Sequence, residues 1–568
     1  MNARATAMRE RVPTPWQSAL FEMKAWVFRA GRWCKDGVGR PARHIAGASL
    51  ADAPLLAESS SPLWPDDEIA WELVAGKIHN LRLAARQLDG IVVPAGEVFS
   101  FWRQLGRATR RRGYVPGREL REGCLVPSIG GGLCQLSNAI YDVALRAGLQ
   151  VVERHRHTQV VPGSLAESDR DATVFWNYRD LRLRAAQDWR LEVEMDAAHL
   201  SVRIRGMAAD ASFRVPIALT ERKPIVIEDC AGCGESECHR HVGETHARRH
   251  RTWLVEEDWP EFEAYRTQSF CDGDRIIRPA APSGLHGRAI DLRARALRRF
   301  HLWRGRPLPQ ARLGAYRWLA QACSRQLRYT DTDLVVPQSL LPYLWTAGEL
   351  SGRRFDVLMT ALPMHEIQRR LDQAAKRHPH SPTLRDFRAD DALVNAERVA
   401  LARAGRWISP HAGVLQLAGG RGLPVPWRVL GRIDTPVTAC RDRRDPPRVF
   451  LAASALARKG AYELREALQN LPIQLCLPPG AQEAPAFWRG FAIRHATSIA
   501  QGVGDADVVV LPAWIEHQPR GLLHAMALGK TVIATSACGL PAGSPWIQVA
   551  EGSVVELRNA IVKALELA

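Results

Sequence analysis

Gly130-Gly131-Gly132-Leu133-Cys134-Gln135-Leu136-Ser137-Asn138 decides how the first half of this 568-residue chain is read. Three glycines lead into a cysteine. Behind it Ile140, Val143, Ala144 and Ala147 fall at helical spacing, and Gly148 is a natural stop. The pattern predicts a helix with Cys134 at or near its N-terminus. There the unpaired backbone N–H groups and the positive end of the helix dipole favour a thiolate over a thiol. The glycines leave room for another molecule to approach. The same residues also suit a buried cysteine at a helix start, with the glycines serving a tight turn, so the motif alone leaves both readings open.

Further along come Glu153-Arg154-His155-Arg156-His157-Thr158, Asp169-Arg170-Asp171-Ala172-Thr173-Val174 and Asp180-Leu181-Arg182-Leu183. The apolar runs beside them, Val151-Val152, Val160-Val161 and Thr173-Val174-Phe175, read as strands. A cysteine on a helix start, then a histidine and an aspartate on following strands, is an order that thiol acyl-transfer sites use. His157 is the candidate base and Asp171 its orienter. On a strand His155 shares a face with His157 and can replace it. Arg154, His155 and Asp171 can equally form a structural polar cluster.

Four segments in order resemble the VanW family: Val93-Pro94-Ala95-Gly96-Glu97-Val98-Phe99-Ser100-Phe101, Gly130-Gly131-Gly132-Leu133-Cys134-Gln135-Leu136-Ser137, Arg154-His155-Arg156-His157 and Arg170-Asp171-Ala172-Thr173-Val174. Some members of that family resemble L,D-transpeptidases, which cross-link peptidoglycan stem peptides through a cysteine acyl-enzyme. The resemblance implies Cys134 as nucleophile and His157 as its base. Gln135 and Arg154, inside the matching motifs, are counted with them and with Asp171 as catalytic candidates. A transpeptidase works outside the cytoplasmic membrane, yet the basic start Met1-Asn2-Ala3-Arg4-Ala5-Thr6-Ala7-Met8-Arg9-Glu10-Arg11 has no apolar core behind it. No stretch approaches the roughly 18–20 apolar residues of a membrane span. The expectation is a cytoplasmic protein, peripheral at the inner membrane face, whose thiol acts on a cytoplasmic precursor.

The net charge is +17, carried mostly by arginine, and 46% of residues are hydrophobic. Such a balance suits anionic lipid or phosphorylated substrates, or an Arg-rich genome. A basic face interleaved with aromatics is missing, so no specific nucleic-acid partner is expected. Arg107-Ala108-Thr109-Arg110-Arg111-Arg112 precedes Cys134 and can hold an anionic substrate or form a solvated face. The 11 cysteines are odd in number and scattered, which predicts reduced thiols or metal ligands rather than a disulfide framework. In Cys230-Ala231-Gly232-Cys233-Gly234-Glu235-Ser236-Glu237-Cys238-His239-Arg240-His241, a C-x-x-C step has a third cysteine and two histidines nearby. Cys230, Cys233, Cys238 and His239 have the spacing of a zinc set, with Cys271 or His246 as other candidates.

The N-terminal stretch from Trp16 to Trp33 is amphipathic (Trp16, Ala19, Leu20, Met23, Val27) and suits a membrane surface or packing on its own domain. Asp66 to Leu88 reads as a helix. Arg190–Met195 and Leu200–Ile204 alternate as a hairpin. The last third changes rhythm. Strand-like Arg448–Ala452, Ile473–Leu477, Val508–Leu511 and Thr531–Ala534 alternate with helical Ala461–Leu471, Gly521–Leu528 and Val554–Leu567. That alternation predicts a parallel α/β sheet, with Glu516-His517-Gln518-Pro519-Arg520-Gly521 and Ser536-Ala537-Cys538-Gly539-Leu540 beyond strand ends, where ligands bind.

These residues resemble the C-terminal domain of retaining GT-B glycosyltransferases. That family carries a Glu, a Pro and a second Glu before a helix of the Glu-Ala-Met-Ala-x-Gly kind. Here Glu516, Pro519 and Ala525-Met526-Ala527-Leu528-Gly529 match, while His524 replaces the second Glu, usually a ribose ligand. Arg458-Lys459-Gly460 matches the Lys-Gly that meets the donor diphosphate, and Ser454 stands for the family's preceding Arg. The resemblance implies nucleotide-sugar binding through Arg458, Lys459, Glu516, Pro519 and His524, with Val335-Val336-Pro337-Gln338 and Phe355–Met359 as strands of a partner domain. Ser409-Pro410-His411-Ala412 would face the cleft, with His411 on the acceptor side or beside a helix cap.

The expected architecture is multidomain α/β: a basic segment (1–58), an α+β VanW-like domain (59–207), a Cys/His-rich connector (208–250), and a GT-B-like pair of doubly wound parallel-sheet domains (251–435 and 436–568). The expected function is cell-envelope biosynthesis on peptidoglycan or surface-polysaccharide precursors, by thiol acyl transfer joined to retaining glycosyl transfer. The alternative is a non-catalytic binding or scaffold protein with degenerate sites in an envelope or glycopeptide-resistance pathway.

Overall fold

The computed structural model describes residues 14–38, 40–64, 71–121, 124–157, 160, 163–207, 220–222, 228–229, 249–279, 296, 299, 308–386, 388–428 and 445–566. They form two compact units. The first holds the described residues up to Arg251 with Arg328–Asp333 and Gly348–Arg354, and the second holds the remainder.

In the first unit Trp189–Met195 and His199–Gly206 alternate between buried and half-buried positions, the pattern of a strand covered on one face. They pair antiparallel, Leu191 opposite Ile204 and Val193 opposite Val202. Leu55–Pro62 and Ile91–Val93 flank them in a four-stranded sheet. Val98–Ser100, Arg182–Arg184 and Gln150–Glu153 form a second antiparallel sheet, and Pro116–Arg121 pairs with Cys124–Ile129. The helices Trp71–Leu88 and Leu133–Arg146 bury Ile78, Leu81, Leu136, Ile140 and Val143 in one core with Phe99, Trp189 and Leu191. Antiparallel sheets with helices packed on them make this unit α+β.

The N-terminal helix Pro15–Val38 packs on this unit by its ionic side. Arg32 pairs with Glu153 at 2.8 Å, Asp36 accepts from Arg182 at 2.9 Å, Ala25 is buried and Phe28 stacks on Tyr178. Its apolar stripe points outward: Trp16, Trp26 and Trp33 are 76%, 63% and 60% exposed, with Met23 and Val27 also exposed. Among the described residues no helix is long and apolar enough to cross a membrane.

The second unit carries two six-stranded sheets with helices between the strands. In chain order the first uses Arg251–Leu254, Arg275–Ile277, Asp333–Pro337, Arg354–Leu358, Trp407–Ser409 and Gly422–Pro424, arranged 2-1-3-4-5-6. The second uses Arg448–Leu451, Gln474–Leu477, Ile493–His495, Val508–Leu511, Thr531–Thr535 and Ile547–Val549, all parallel and arranged 3-2-1-4-5-6. This is a doubly wound order, and the winding reverses between its first and fourth strands. The central strands are sealed on both faces, Val508–Leu511 throughout, which is why they read as continuous apolar runs. The edge strands Ile493–His495 and Ile547–Val549 are largely exposed, and no apolar run marks them in the sequence.

Candidate active site

Cys134 is the second residue of the helix Leu133–Arg146. The glycine turn before it is held by the protein's own backbone. A Cβ on Gly131 would stand 2.3 Å from the Gly117 carbonyl oxygen, and Gly132 has φ +97° with Lys77 packed where its side chain would be. The glycines thus serve close chain packing, as the tight-turn reading of the motif has it. Asn80, fully buried, fixes the turn: its amide donates to the carbonyls of Val115 and Gly131 at 3.0 Å each and accepts from Val115 N–H at 3.0 Å.

His157 and Asp171 lie beside this helix on irregular chain, not on strands. The backbone there is taken up by the helix and by its own loop. Ala172 N–H donates to Asn138 Oδ1 at 2.9 Å, the Ser137 hydroxyl donates to Ala172 O at 2.6 Å, and Thr173 N–H donates to His155 O at 2.8 Å. With these groups satisfied the segment has no free ladder to form a sheet. Phe175 makes only an isolated bridge to Arg179.

The side chains meet in the order Asp–His–Cys. Asp171, fully buried, accepts from His157 Nδ1 at 2.6 Å and from the His157 backbone N–H at 2.7 Å. That leaves Nε2 free of Asp171, and the charges of His157 and the Cys134 sulfur act on each other. The sulfur also lies 3.9 Å from Val174 O and 4.0 Å from Thr173 Oγ1. Cys134 is half-buried, not sealed. Burial pushes its thiol up, but His157, the Val174 carbonyl contact and the Thr173 hydroxyl together outweigh burial and bring it below the ordinary thiol value. Burial would depress His157; the Asp171 carboxylate and the sulfur raise it to about 9. Burial opposes the Asp171 charge, but its bonds from His157 hold the carboxyl below the usual range. The arrangement favours a thiolate–imidazolium pair.

Arg154 does not touch the sulfur. Its guanidinium donates to Asp171 O at 2.7 Å, to Asp171 Oδ1 at 2.8 Å and to Asp169 Oδ1 at 2.8 Å, over the Tyr141 ring. It positions the orienter. Gln135 directs its amide to Ser61 Oγ and Pro62 O at 3.0 and 2.8 Å, tying the helix start to the strand Leu55–Pro62. His155 pairs with Glu153 at 3.0 Å and is not part of the chain of contacts. Sequence reasoning missed Ser137 and Asn138, although they stand three and four residues after Cys134, on the same helix face. It also missed Arg222, which donates to His157 O at 2.7 Å.

In the second unit, Ala457–Lys459 follows the first strand of the second sheet, and Glu516 follows the fourth. Both loops stand at the carboxyl ends of the strands where the winding reverses. Lys459 donates to Ile515 O at 2.8 Å and pairs with Glu516 at 3.1 Å. Burial disfavours the Glu516 charge, yet Lys459 and the backbone N–H groups of His517 and Gln518 hold it down to about 2. Pro519 is the N-cap of the helix Arg520–Ala527, and His524 lies in that helix, half-buried. Arg458 presents its carbonyl to Trp514 and Ile515 N–H, and its side chain is largely buried. His411 is buried, accepts from Val414 N–H at 3.4 Å as an N-cap and bonds Glu516 O through Nε2 at 2.9 Å.

Cys230, Cys233, Cys238 and His239 lie outside the described residues. Among those described, no group of three or more His, Cys, Asp or Glu side chains could hold a metal ion. Cys34, Cys134, Cys271, Cys323, Cys476 and Cys538 are free thiols.

Residues 76–205 match the VanW like protein family, and residues 460–567 match glycosyl transferases group 1. The uncharacterized protein YoaR of Bacillus subtilis is 41% identical over 106 residues, 19% of this chain and 34% of that protein. The vancomycin B-type resistance protein VanW of Enterococcus faecalis is 34% identical over 120 residues, 21% of this chain and 44% of that protein. The chain thus spans less than half the length of either relative. Among solved structures, a sucrose-phosphate synthase from Thermosynechococcus elongatus aligns with 56% of this chain and 90% of its own at 14% identity and TM-score 0.36. HepE of Anabaena, solved with UDP and glucose, covers the same shares at 13% identity and TM-score 0.31. Likeness at that level transfers no site or substrate.

Glu516 sets an acid limit on stability. Its carboxyl is depressed in the folded state, so its contribution is present above its ordinary pKa of about 4.3 and is lost as pH falls through about 2. Urea titrations from pH 5 to pH 3 should show wild type losing more stability than Glu516→Gln, toward a limit of order 3 kcal/mol. Equal slopes would contradict the assignment.

Proposed function

We propose that this chain joins a thiol-dependent acyl-transfer domain to a nucleotide-sugar-binding glycosyltransferase-like region, and that it acts on precursors of the cell envelope. The 2.6 Å bond between His157 and Asp171, with Cys134 brought below the ordinary thiol value by His157, carries the reading. The Cys134 thiolate attacks the carbonyl carbon of a peptide or amide. A C–S bond forms, the C–N bond breaks, and His157 gives its proton to the leaving amine. An acceptor amine or water then attacks the thioester and loses a proton to His157, and the C–S bond breaks to return the thiolate. Asp171 holds the imidazole through Nδ1–H and steadies its charged form. Arg154 keeps Asp171 in place, and Gln135 anchors the helix start. The match to a VanW-like protein, one relative being named a vancomycin resistance protein, supports an envelope precursor as substrate.

Donor binding falls to Arg458, Lys459, Glu516, Pro519 and His524, supported by the glycosyl transferase match over 460–567. For this region alone a second reading has support, that of binding without turnover. Lys459 is already paired with Glu516, and His524 and Ser454 stand where the family pattern has Glu and Arg. The outward tryptophan stripe of Pro15–Val38 supports a peripheral position on an anionic membrane, at its cytoplasmic face. Trp suits the interface, and the chain's net charge of +17 complements anionic lipid.

Iodoacetamide labelling across pH 5–9 tests the thiol. Cys134 should react well below the ordinary thiol midpoint of roughly 8.5, and His157→Ala should move its midpoint upward. Labelling led by the exposed Cys34 and Cys271, with Cys134 unexceptional, would leave the acyl-transfer reading without support. Vesicle sedimentation tests the membrane. The chain should pellet with phosphatidylglycerol vesicles and less with phosphatidylcholine, and Trp16→Ala/Trp26→Ala/Trp33→Ala should release it. A triple variant that pellets like wild type would count against the helix as the contact.

A further inference from the structure

A cavity of about 420 Å³ in the first unit has no part in the chemistry above. Six arginines line it: Arg32, Arg40, Arg43, Arg103, Arg112 and Arg182. Two are compensated. Arg182 binds Asp36 at 2.9 Å and Asp180 at 3.0 Å, and Arg32 binds Glu153. The other four have no carboxylate in ion-pair distance among the described residues. Arg103 donates to Pro41 O at 3.0 Å, and Arg112 donates to Arg107 O and Gln87 Oε1 at 2.8 Å each. Such contacts aim a guanidinium without cancelling its charge. Gly106 makes room for one of them, because a Cβ there would stand 2.8 Å from Arg112 Nη1.

Arg40, Arg43 and Arg112 are exposed and Arg103 is half-buried, and like charges gathered round one cavity attract an anion to it. Trp102 and Trp176, packed edge to face at 5.5 Å, supply an aromatic wall. Trp176 and Asn177 follow Val174, whose carbonyl touches the Cys134 sulfur, so cavity and thiol share one stretch of chain.

We propose that this cavity binds the diphosphate group of a ligand, with the oxygens against Arg40, Arg43, Arg103 and Arg112 and the ligand's body against the tryptophan pair. Guanidinium forks match phosphate oxygens in pairs, and four free cations call for a group of at least two negative charges. The volume suits a small molecule. The inference stands whether or not Cys134 is a nucleophile.

Isothermal titration of the full chain with inorganic pyrophosphate tests it. Wild type should bind, Arg40→Ala/Arg43→Ala should lose at least tenfold in affinity, and the charge control Arg494→Ala, in the second unit, should not change it. Neither Arg40 nor Arg43 makes a side-chain hydrogen bond or ion pair among the described residues, so the double variant should melt at or above wild type without ligand and lose the pyrophosphate-induced rise in Tm. Geranyl pyrophosphate and UDP distinguish the source, each read as the affinity that Arg40→Ala/Arg43→Ala removes, so that binding at the second unit does not count: a larger loss for the former marks a lipid-linked diphosphate, and for the latter a nucleotide. Wild type and double variant binding pyrophosphate alike, no binding by wild type at millimolar concentration, or succinate binding as well as pyrophosphate would each overturn the proposal.

Discussion

The Asp171 carboxylate is the interaction on which the first unit's site depends. It is fully buried, and a buried charge is tolerated only when its oxygens are paired. Here the partners are His157 Nδ1, the His157 backbone N–H and the Arg154 fork. Each bond also fixes something else. The two from His157 set the rotamer and tautomer that leave Nε2 for the sulfur. The two that Arg154 makes, to the Asp171 side chain and to its carbonyl, fasten the loop to Asp169. Removing the Asp171 side chain would therefore free the imidazole, while Arg154 would keep Asp169.

The helix supplies the other half of the constraint. Ser137 and Asn138, one turn beyond Cys134, grip Ala172 from both its carbonyl and its N–H. The sulfur and the histidine are thus referred to one helix, and the glycine turn sets that helix's start. Gly131 against Gly117, and Asn80 across the turn, leave the backbone no alternative path.

Much of this was legible in the sequence. The hairpin Trp189–Met195 and His199–Gly206 showed in strict alternation, the cysteine helix in its apolar spacing, and the central strands of the second unit in their apolar runs. Cys134, His157 and Asp171 were singled out, and the structure brings them together. The edge strands were not legible, because strands exposed to water carry no apolar run. The irregular course of residues 171–174 was hidden as well, because Thr-Val-Phe is a strand composition whose backbone partners here come from helix side chains. The amphipathic N-terminal helix was visible, but which face meets the protein depended on ion pairs with Glu153 and Arg182, far away in sequence. The arginine cavity is assembled from such distant segments too.

The second unit follows a different logic. Its doubly wound sheet places Lys459 and Glu516 at the reversal point, and their mutual pairing satisfies two buried charges in the absence of a ligand. An incoming anionic group would compete with Glu516 for the lysine, so affinity there depends on what breaking that pair costs.

The most direct measurement is the titration of His157 by two-bond 1H–15N NMR on the full chain, with Cys134→Ala as comparison. The account predicts a protonated imidazole at neutral pH with a midpoint near 9, falling when the sulfur is removed. A midpoint near the ordinary histidine value of about 6.5, unchanged in Cys134→Ala, would contradict the thiolate–imidazolium pair.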